Sequence, residues 1–167
     1  MKIAFSPLVI LLPLIAGTAS AVGKGPCNGI KQHKDKLRGL TSYISPAAPV
    51  IASKWQRKKD TSMYLNFSID GGSELVNEQD PDLVVSPIKG LLVHFTDGTT
   101  WTSDTATIRH YLRDGTSVFS YSLKLDDKTL EIFTIKKIEK FILAGLTQKD
   151  IKIAALIPQY LSCLKTR

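Results

Sequence analysis

The sequence predicts a mainly β (α+β) protein, built as an antiparallel β-sandwich or a partly open barrel with a short helix and a C-terminal helix. Residues 63–70 alternate strictly between apolar and polar side chains, which is the period of a half-buried strand. Asp-Gly pairs at 97–98 and 114–115 stand between apolar stretches and are typical of hairpin turns. Strand patterns of this kind recur at intervals of 8 to 15 residues, a spacing that favours sandwiches and barrels.

Residues 1–21 have the pattern of a secretory signal peptide. Lys2 supplies a positive start, residues 3–16 form an apolar run, and the small residues at 19–21 suit a signal peptidase. A transmembrane helix needs about 20 apolar residues, and Pro13 interrupts this run. We therefore expect cleavage after residue 21 and an exported protein, periplasmic or secreted, with no transmembrane segment left after cleavage.

The chain without its signal peptide is predicted to be one basic domain. It holds 146 residues with 21 basic and 15 acidic side chains, a formal net charge of +6, and this length suffices to bury a core. Glycine and proline break its first part, which ends in "SPAAP" at 45–49, so residues 22–60 are predicted to form an irregular basic N-terminal arm. Residues 61–167 are predicted to form a β-rich domain with a C-terminal helix.

The two cysteines, Cys27 and Cys163, are predicted to form a disulfide. An exported protein leaves the reducing cytosol, and disulfides persist in oxidising compartments. The alternative, a catalytic or metal-binding thiol, lacks support because the sequence holds no CxxC and no histidine close to either cysteine.

The two Asp-Gly pairs predict two hairpins. A two-residue type I′ turn at 97–98 would place His94 opposite Trp101, so that both share one face of the hairpin. The second pair would join a strand at 106–112 to a stronger strand at 118–125.

The C-terminal third predicts a short helix, a strand and a second helix. Asp126 can cap the first helix, and residues 138–143 return to a strand pattern. Thr147 and Asp150 resemble a capping box at the start of the C-terminal helix. Pro158 lies within the apolar stripe of that helix, so the helix either kinks there or begins afresh after residue 157.

The stretch "YSLKLDDKTLEIFTIKKIEKFIL", followed by a terminal helix with "YLSCLK", resembles the C-terminal half of small secreted β-sandwich proteins of unknown function that are common in Bacteroidetes-type bacteria. In those proteins too, a strand that begins with tyrosine precedes an acidic-capped helix and a basic "KKI" strand. The resemblance covers residues 61–165 and implies the fold and export, but no activity. Pro158 and the basic stretch before residue 61 depart from the pattern.

No motif in the sequence predicts a catalytic residue, a metal site or a cofactor. The histidines His33, His94 and His110 follow no metal-ligand spacing. G-x-S-x-G does not occur, and no aspartate series has the order of a calcium loop.

The charges are unevenly distributed. Residues 31–59 carry eight basic side chains and one acidic, and residues 60–82 carry six acidic and no basic. The two segments could lie side by side and neutralise each other. If the basic segment instead faces solvent, it suits an anionic glycan, lipopolysaccharide, membrane headgroups or an acidic protein. Nucleic acid is disfavoured because the basic run at 54–59 has a single aromatic residue rather than a stacking platform.

Two groups of residues are candidate binding sites. The first is the basic stretch with Trp55, Arg57, Lys58 and Lys59. The odd-numbered phase that Trp55 shares with the apolar residues of 63–69 predicts one long or interrupted strand through it.

The second group is the hairpin face of His94 and Trp101, where an aromatic and a titratable ring could contact a sugar or a peptide. The favoured alternative is that this face packs against other elements.

These observations predict an exported non-enzymatic binding module of the cell envelope or secreted fraction that engages an anionic glycan or a protein partner. The alternative is an enzyme, or an inhibitor of one, that acts on envelope polymers through a site not visible in the sequence.

Overall fold

A computed structural model describes five ranges of the chain, residues 25–46, 49–72, 90–104, 106–149 and 156–167. The predicted signal peptide, the acidic run at 74–82 and Asp150 lie outside the described residues.

The described residues form ten strands and two α-helices. The strands are β1 (Lys31–Asp35), β2 (Leu40–Ile44), β3 (Val50–Arg57), β4 (Asp60–Gly72), β5 (Leu91–Phe95), β6 (Thr100–Ser103), β7 (Arg109–Arg113), β8 (Thr116–Leu125), β9 (Ile138–Leu143) and β10 (Leu146–Gln148). The helices are α1 (Asp127–Ile135) and α2 (Ile157–Lys165), and a short 3₁₀ helix covers Pro26–Gly29. Neither α-helix is long and apolar enough to cross a membrane.

The strands make two antiparallel sheets, and the predicted sandwich is confirmed. One sheet has six strands in the order β1-β2-β3-β4-β8-β7, and the other has four in the order β10-β9-β5-β6. Helices α1 and α2 pack against each other, and α2 also packs on β3. The predicted combination of β-sandwich, short helix and C-terminal helix is therefore what the chain adopts.

The core lies between the sheets, on the face of β4 that the alternation predicted. The side chains of Met63, Leu65, Phe67 and Ile69 are all buried. Phe67 meets Phe141 of β9 edge to face, with ring centroids 5.2 Å apart, an arrangement that aromatic pairs prefer. The face that carries these residues is called the inner face of the six-stranded sheet, and the opposite one its outer face.

Helix α1 brings a buried aromatic ring into this core. The Phe133 ring lies 6.4 Å from the Phe67 ring and 5.4 Å from each of the Phe95 and Trp101 rings. The predicted cap is confirmed, because the Asp126 carboxylate accepts a hydrogen bond from the Thr129 amide at 2.7 Å. This bond satisfies one of the free amide groups at the helix start.

The prediction of an irregular arm over residues 22–60 is wrong, because residues 31–57 contain three strands of the six-stranded sheet. Most side chains of β1 are exposed, so this edge strand lacks the apolar alternation by which a strand is recognised. On the inner face of β3 the apolar side chains are confined to Val50 and Ala52, both fully buried.

The prediction of one long or interrupted strand from Trp55 to Ile69 is also wrong, because the stretch forms two antiparallel strands. β3 ends at Arg57, which pairs with Asp60, and a two-residue turn lies between them with Lys58 at φ 55°. Such a turn pairs odd-numbered with even-numbered residues, so Trp55 opposes Ser62 and stands on the outer face.

The first predicted hairpin has a different turn from the expected one. The Phe95 amide donates to the Thr99 carbonyl, and of the turn residues only Gly98 has a positive φ, 81°. The loop is therefore one residue longer than a type I′ turn, and Val93 rather than His94 opposes Trp101. A shift of one residue moves a side chain to the other face of a strand.

The second predicted hairpin is confirmed. Asp114 and Gly115 both have positive φ, 51° and 76°, and Arg113 pairs directly with Thr116. These are the backbone angles that a type I′ turn requires.

The capping box predicted at Thr147 is wrong, because Thr147 lies in β10. Ala144 and Gly145, at φ 54° and 75°, form a tight turn that pairs Leu146 with Leu143 of β9. Helix α2 begins at Ile157, with Pro158 in its first turn, where the missing proline amide costs no hydrogen bond. Pro158 therefore lies at a helix start rather than inside a kinked helix.

The predicted disulfide is confirmed. Cys27 and Cys163 are bonded, with their Cα atoms 5.5 Å apart, so the 3₁₀ helix is tied to α2. Lys54, buried on the inner face, donates from its Nζ to the Leu164 carbonyl at 3.0 Å and to the Arg167 carbonyl. A cation at the carbonyl end of a helix is favourable, so Lys54 also holds α2 on the sheet.

Candidate functional site

A groove of about 360 Å³ lies on the outer face of the six-stranded sheet. It crosses the four neighbouring strands β2, β3, β4 and β8. Its lining combines aromatic, hydroxyl, amide and charged side chains. These are Leu40, Trp55, Arg57, Asp60, Ser62, Tyr64, Asn66 and Ser122.

The register of the strands brings these side chains together. Trp55 of β3 pairs with Ser62 of β4, and Ser53 pairs with Tyr64. On the other side of β4, Asn66 pairs with Ser122 of β8. Directly paired residues of antiparallel strands point to the same face, so the polar half of the alternating stretch lines the groove.

Trp55 is the most prominent aromatic side chain of the groove. It is 41% exposed, and its indole Nε1 donates a hydrogen bond to Ser53 Oγ at 3.3 Å. Because the polar atom of the indole already has a partner, what Trp55 offers to a ligand is its apolar ring face.

The Asn66 amide is held by neighbours on both adjacent strands. Its Oδ1 accepts from Ser122 Oγ at 2.7 Å, and its Nδ2 donates to Ser53 Oγ at 3.3 Å and to the Ile51 carbonyl at 3.5 Å. The amide therefore has a fixed orientation before any ligand binds, which lowers the entropy lost on binding.

Arg57 places a cation at one end of the groove. The described residues form three ion pairs, Arg38 with Asp35, Arg113 with Asp70 and Lys136 with Asp97. None of them involves a residue of the groove lining. Within the described part of the chain the Arg57 guanidinium is thus available to a carboxylate or sulfate group, to which it can donate two parallel hydrogen bonds.

The structure brings some of the predicted binding residues together and separates others. Trp55 and Arg57 both line the groove. Lys58 and Lys59 are exposed in the turn that follows, beside the groove rather than in its lining. His94 and Trp101 belong to the four-stranded sheet.

The predicted shared face of His94 and Trp101 is wrong. Trp101 points into the core with Val93 and packs on Phe133, with ring centroids 5.4 Å apart. His94 pairs with Thr100 and Lys140 on the opposite face. The cause is the longer turn, which shifts the register of the hairpin by one residue.

Sequence reasoning missed most of the polar lining of the groove. Tyr64, Asn66 and Ser62 alternate with the buried apolar residues of β4, and this pattern marked them only as solvent-facing. The strand that pairs with them, β3, has no continuous apolar alternation, because the buried Lys54 follows Ala52 on its inner face. The alternation of β4 was the one available signal.

Among the described residues, no three or more histidine, cysteine, aspartate or glutamate side chains come together as a metal site would require. A scan against protein-family models, a search of curated proteins and a search of solved structures each found no match. The resemblance to secreted β-sandwich proteins thus stays a prediction.

Proposed function

We propose that this protein is an exported, non-enzymatic binding module whose outer-face groove binds an anionic glycan. The proposal rests chiefly on one observation, the exposed indole face of Trp55 beside the Arg57 guanidinium in the same groove. A sugar ring has an apolar face that can stack on an indole, and an acidic sugar adds a carboxylate or sulfate that a guanidinium recognises.

The remaining lining supplies hydrogen bonds of the kind that sugar hydroxyls need. Ser62 and Tyr64 carry hydroxyl groups, and Asn66 carries an amide fixed in one orientation. A volume of about 360 Å³ lies at the lower end of small-molecule sites, which span about 300 to 1,000 Å³. A few well-placed polar groups around an apolar contact are typical of such sites.

The composition of the lining favours binding over hydrolysis. Among the described lining residues Asp60 is the single carboxylate, whereas hydrolysis of a glycosidic bond generally uses a pair of carboxyl groups. Export is supported by the signal-like residues 1–21 and by the Cys27–Cys163 disulfide, since disulfides persist mainly outside the reducing cytosol.

Calorimetric titration with heparin and with polygalacturonate, using dextran as the neutral comparison, tests the proposal. We expect the anionic polymers to bind the native protein. Trp55→Ala should lower the affinity about thirtyfold, as truncation of a central aromatic contact does. The matched control is Tyr111→Ala, because Tyr111 is 46% exposed on the outer face but lies outside the groove lining.

A second pair of variants separates the groove from general charge attraction. Arg57→Ala should weaken binding of the anionic polymers more than Arg109→Ala, which removes an exposed cation from the outer face away from the groove. Equal losses for the two arginine variants, or unchanged binding by Trp55→Ala, would remove the groove from the proposal.

A further inference from the structure

Two hairpin turns lie side by side at one end of the six-stranded sheet. Asp35 pairs with Leu40, Leu40 with Arg57, and Arg57 with Asp60, which makes one row across four strands. The turns 36–39 and 58–59 both begin just beyond this row. Neighbouring strands are about 4.8 Å apart, so the two turns are about 10 Å apart.

The first turn presents a fully exposed leucine. Leu37 is 100% exposed, and the turn around it is held in shape by Asp35. The Asp35 carboxylate accepts from the Arg38 amide at 3.1 Å and forms an ion pair with the Arg38 Nε at 3.7 Å. Gly39 supplies the positive φ of 59° that closes the turn. Leu37 is thus displayed at a structured tip.

Lysines surround this leucine. Lys36 precedes it, and Lys58 and Lys59 form the neighbouring turn, all of them exposed. Within the described residues none of these three lysines has a carboxylate partner. Because Leu37 is the only apolar side chain of the two turns, the tips lack the clustered apolar and aromatic anchors of a protein–protein contact.

We propose that the two turns form a peripheral membrane-binding site, in which Leu37 inserts into an anionic lipid bilayer and Lys36, Lys58 and Lys59 contact its headgroups. A bilayer accepts a single protruding apolar side chain at its interface while anionic headgroups attract the cations around it. This site goes beyond the proposed glycan groove, whose lining includes none of these four residues.

Binding of the full disulfide-bonded chain to vesicles, measured by co-sedimentation, tests the membrane site. We expect binding to phosphatidylglycerol–phosphatidylcholine vesicles and little to vesicles of phosphatidylcholine alone. Leu37→Ser should weaken the partition coefficient about tenfold or more, and Lys58→Gln and Lys59→Gln about fivefold each. The Leu37→Trp variant should still bind the anionic vesicles, and its tryptophan fluorescence should shift to shorter wavelength when it does.

The matched control is Ile135→Ser, which removes a 71% exposed aliphatic side chain from the end of α1 and should bind as the native protein does. Leu37→Ser should also keep its affinity for heparin, since the groove is untouched. Vesicle binding that Leu37→Ser leaves unchanged, or binding equal on neutral and anionic vesicles, would overturn the membrane site without bearing on the groove.

Discussion

The indole Nε1 of Trp55 donates a hydrogen bond to the Oγ of Ser53, 3.3 Å away and two residues earlier on the same strand. Ser53 is only 3% exposed and also accepts from Asn66 Nδ2. One buried hydroxyl therefore orients both the aromatic ring and the amide of the groove.

Ser53→Ala should weaken both glycan binding and the fold, each by a modest amount. The substitution leaves the Trp55 and Asn66 donors without their shared acceptor, which costs about 1 kcal/mol in the free energy of unfolding. Both side chains then gain rotational freedom that a ligand must remove, so we expect a several-fold loss of heparin affinity. Urea unfolding and calorimetric titration measure the two effects, and Ser120→Ala, on the outer face beyond the groove, is the control. Native affinity in Ser53→Ala would show that this bond does not position the ring.

Phe133→Ala should be strongly destabilising. Phe133 is fully buried and contacts three other aromatic rings, so its truncation leaves a cavity that rigid neighbours cannot fill. Such changes cost about 3 to 5 kcal/mol in the free energy of unfolding. Ile135→Ala, on the same helix but exposed, should stay within about 0.5 kcal/mol of the native protein. Urea unfolding measures the stability of both variants. A similar loss of unfolding free energy in the two would contradict the role of Phe133 in the core.

The two hairpins show why part of the fold could not be predicted from local sequence. Both turns contain Asp-Gly-Thr, at 97–99 and at 114–116, yet Asp114 has a positive φ and Asp97 does not. Asp97 instead accepts from the Thr99 amide and from Lys136, which follows α1. Contacts that are distant in sequence select the turn, and the turn then decides which face Trp101 occupies.

Of the four strands that line the groove, the sequence predicts β4 and β8 as strands but neither β2 nor β3. The alternation of β4 separated Tyr64 and Asn66 from the core side chains, and Trp55 and Arg57 stood out as an aromatic and a cation. β3 could not be recognised because the buried Lys54 interrupts its inner face after Ala52. Its partner is the carbonyl end of α2, 110 residues later in the chain, and no local pattern records that contact.

Removing the disulfide should lower the stability of the whole protein. Cys27 and Cys163 are 136 residues apart, and closing a loop of this length restricts the unfolded chain by up to about 4 to 5 kcal/mol in the entropic description. We expect the double variant Cys27→Ala/Cys163→Ala, and the native protein in reductant, to unfold at the same lower urea concentration. Reductant should not change the urea concentration at which the double variant unfolds. A native protein that unfolds at one urea concentration with and without reductant would contradict this role.

The carboxylate of Asp97 should make stability depend on pH in the acid range. The hydrogen bond from the Thr99 hydroxyl, followed by the bond from Lys136, lowers the pKa of Asp97 from 3.8 to about 2. A carboxyl whose pKa is lower in the folded than in the unfolded state stabilises the fold above the unfolded pKa, and this contribution is lost as the pH falls through the folded pKa. The contribution of Asp97 should therefore be complete above about pH 4 and disappear towards pH 2.

Asp97→Asn tests this dependence, because asparagine keeps the size of the side chain and cannot titrate. The native protein should be the more stable of the two at neutral pH, and the difference between their free energies of unfolding should shrink as the pH falls from about 4 to about 2. Thr99→Val removes the strongest cause of the lowered pKa, so its own pH dependence should lie between the two, and carboxyl titration by NMR should place its Asp97 pKa closer to 3.8. A difference between native and Asp97→Asn that stays constant from neutral pH to pH 2 would show that the Thr99 and Lys136 contacts do not hold the carboxylate in its charged form.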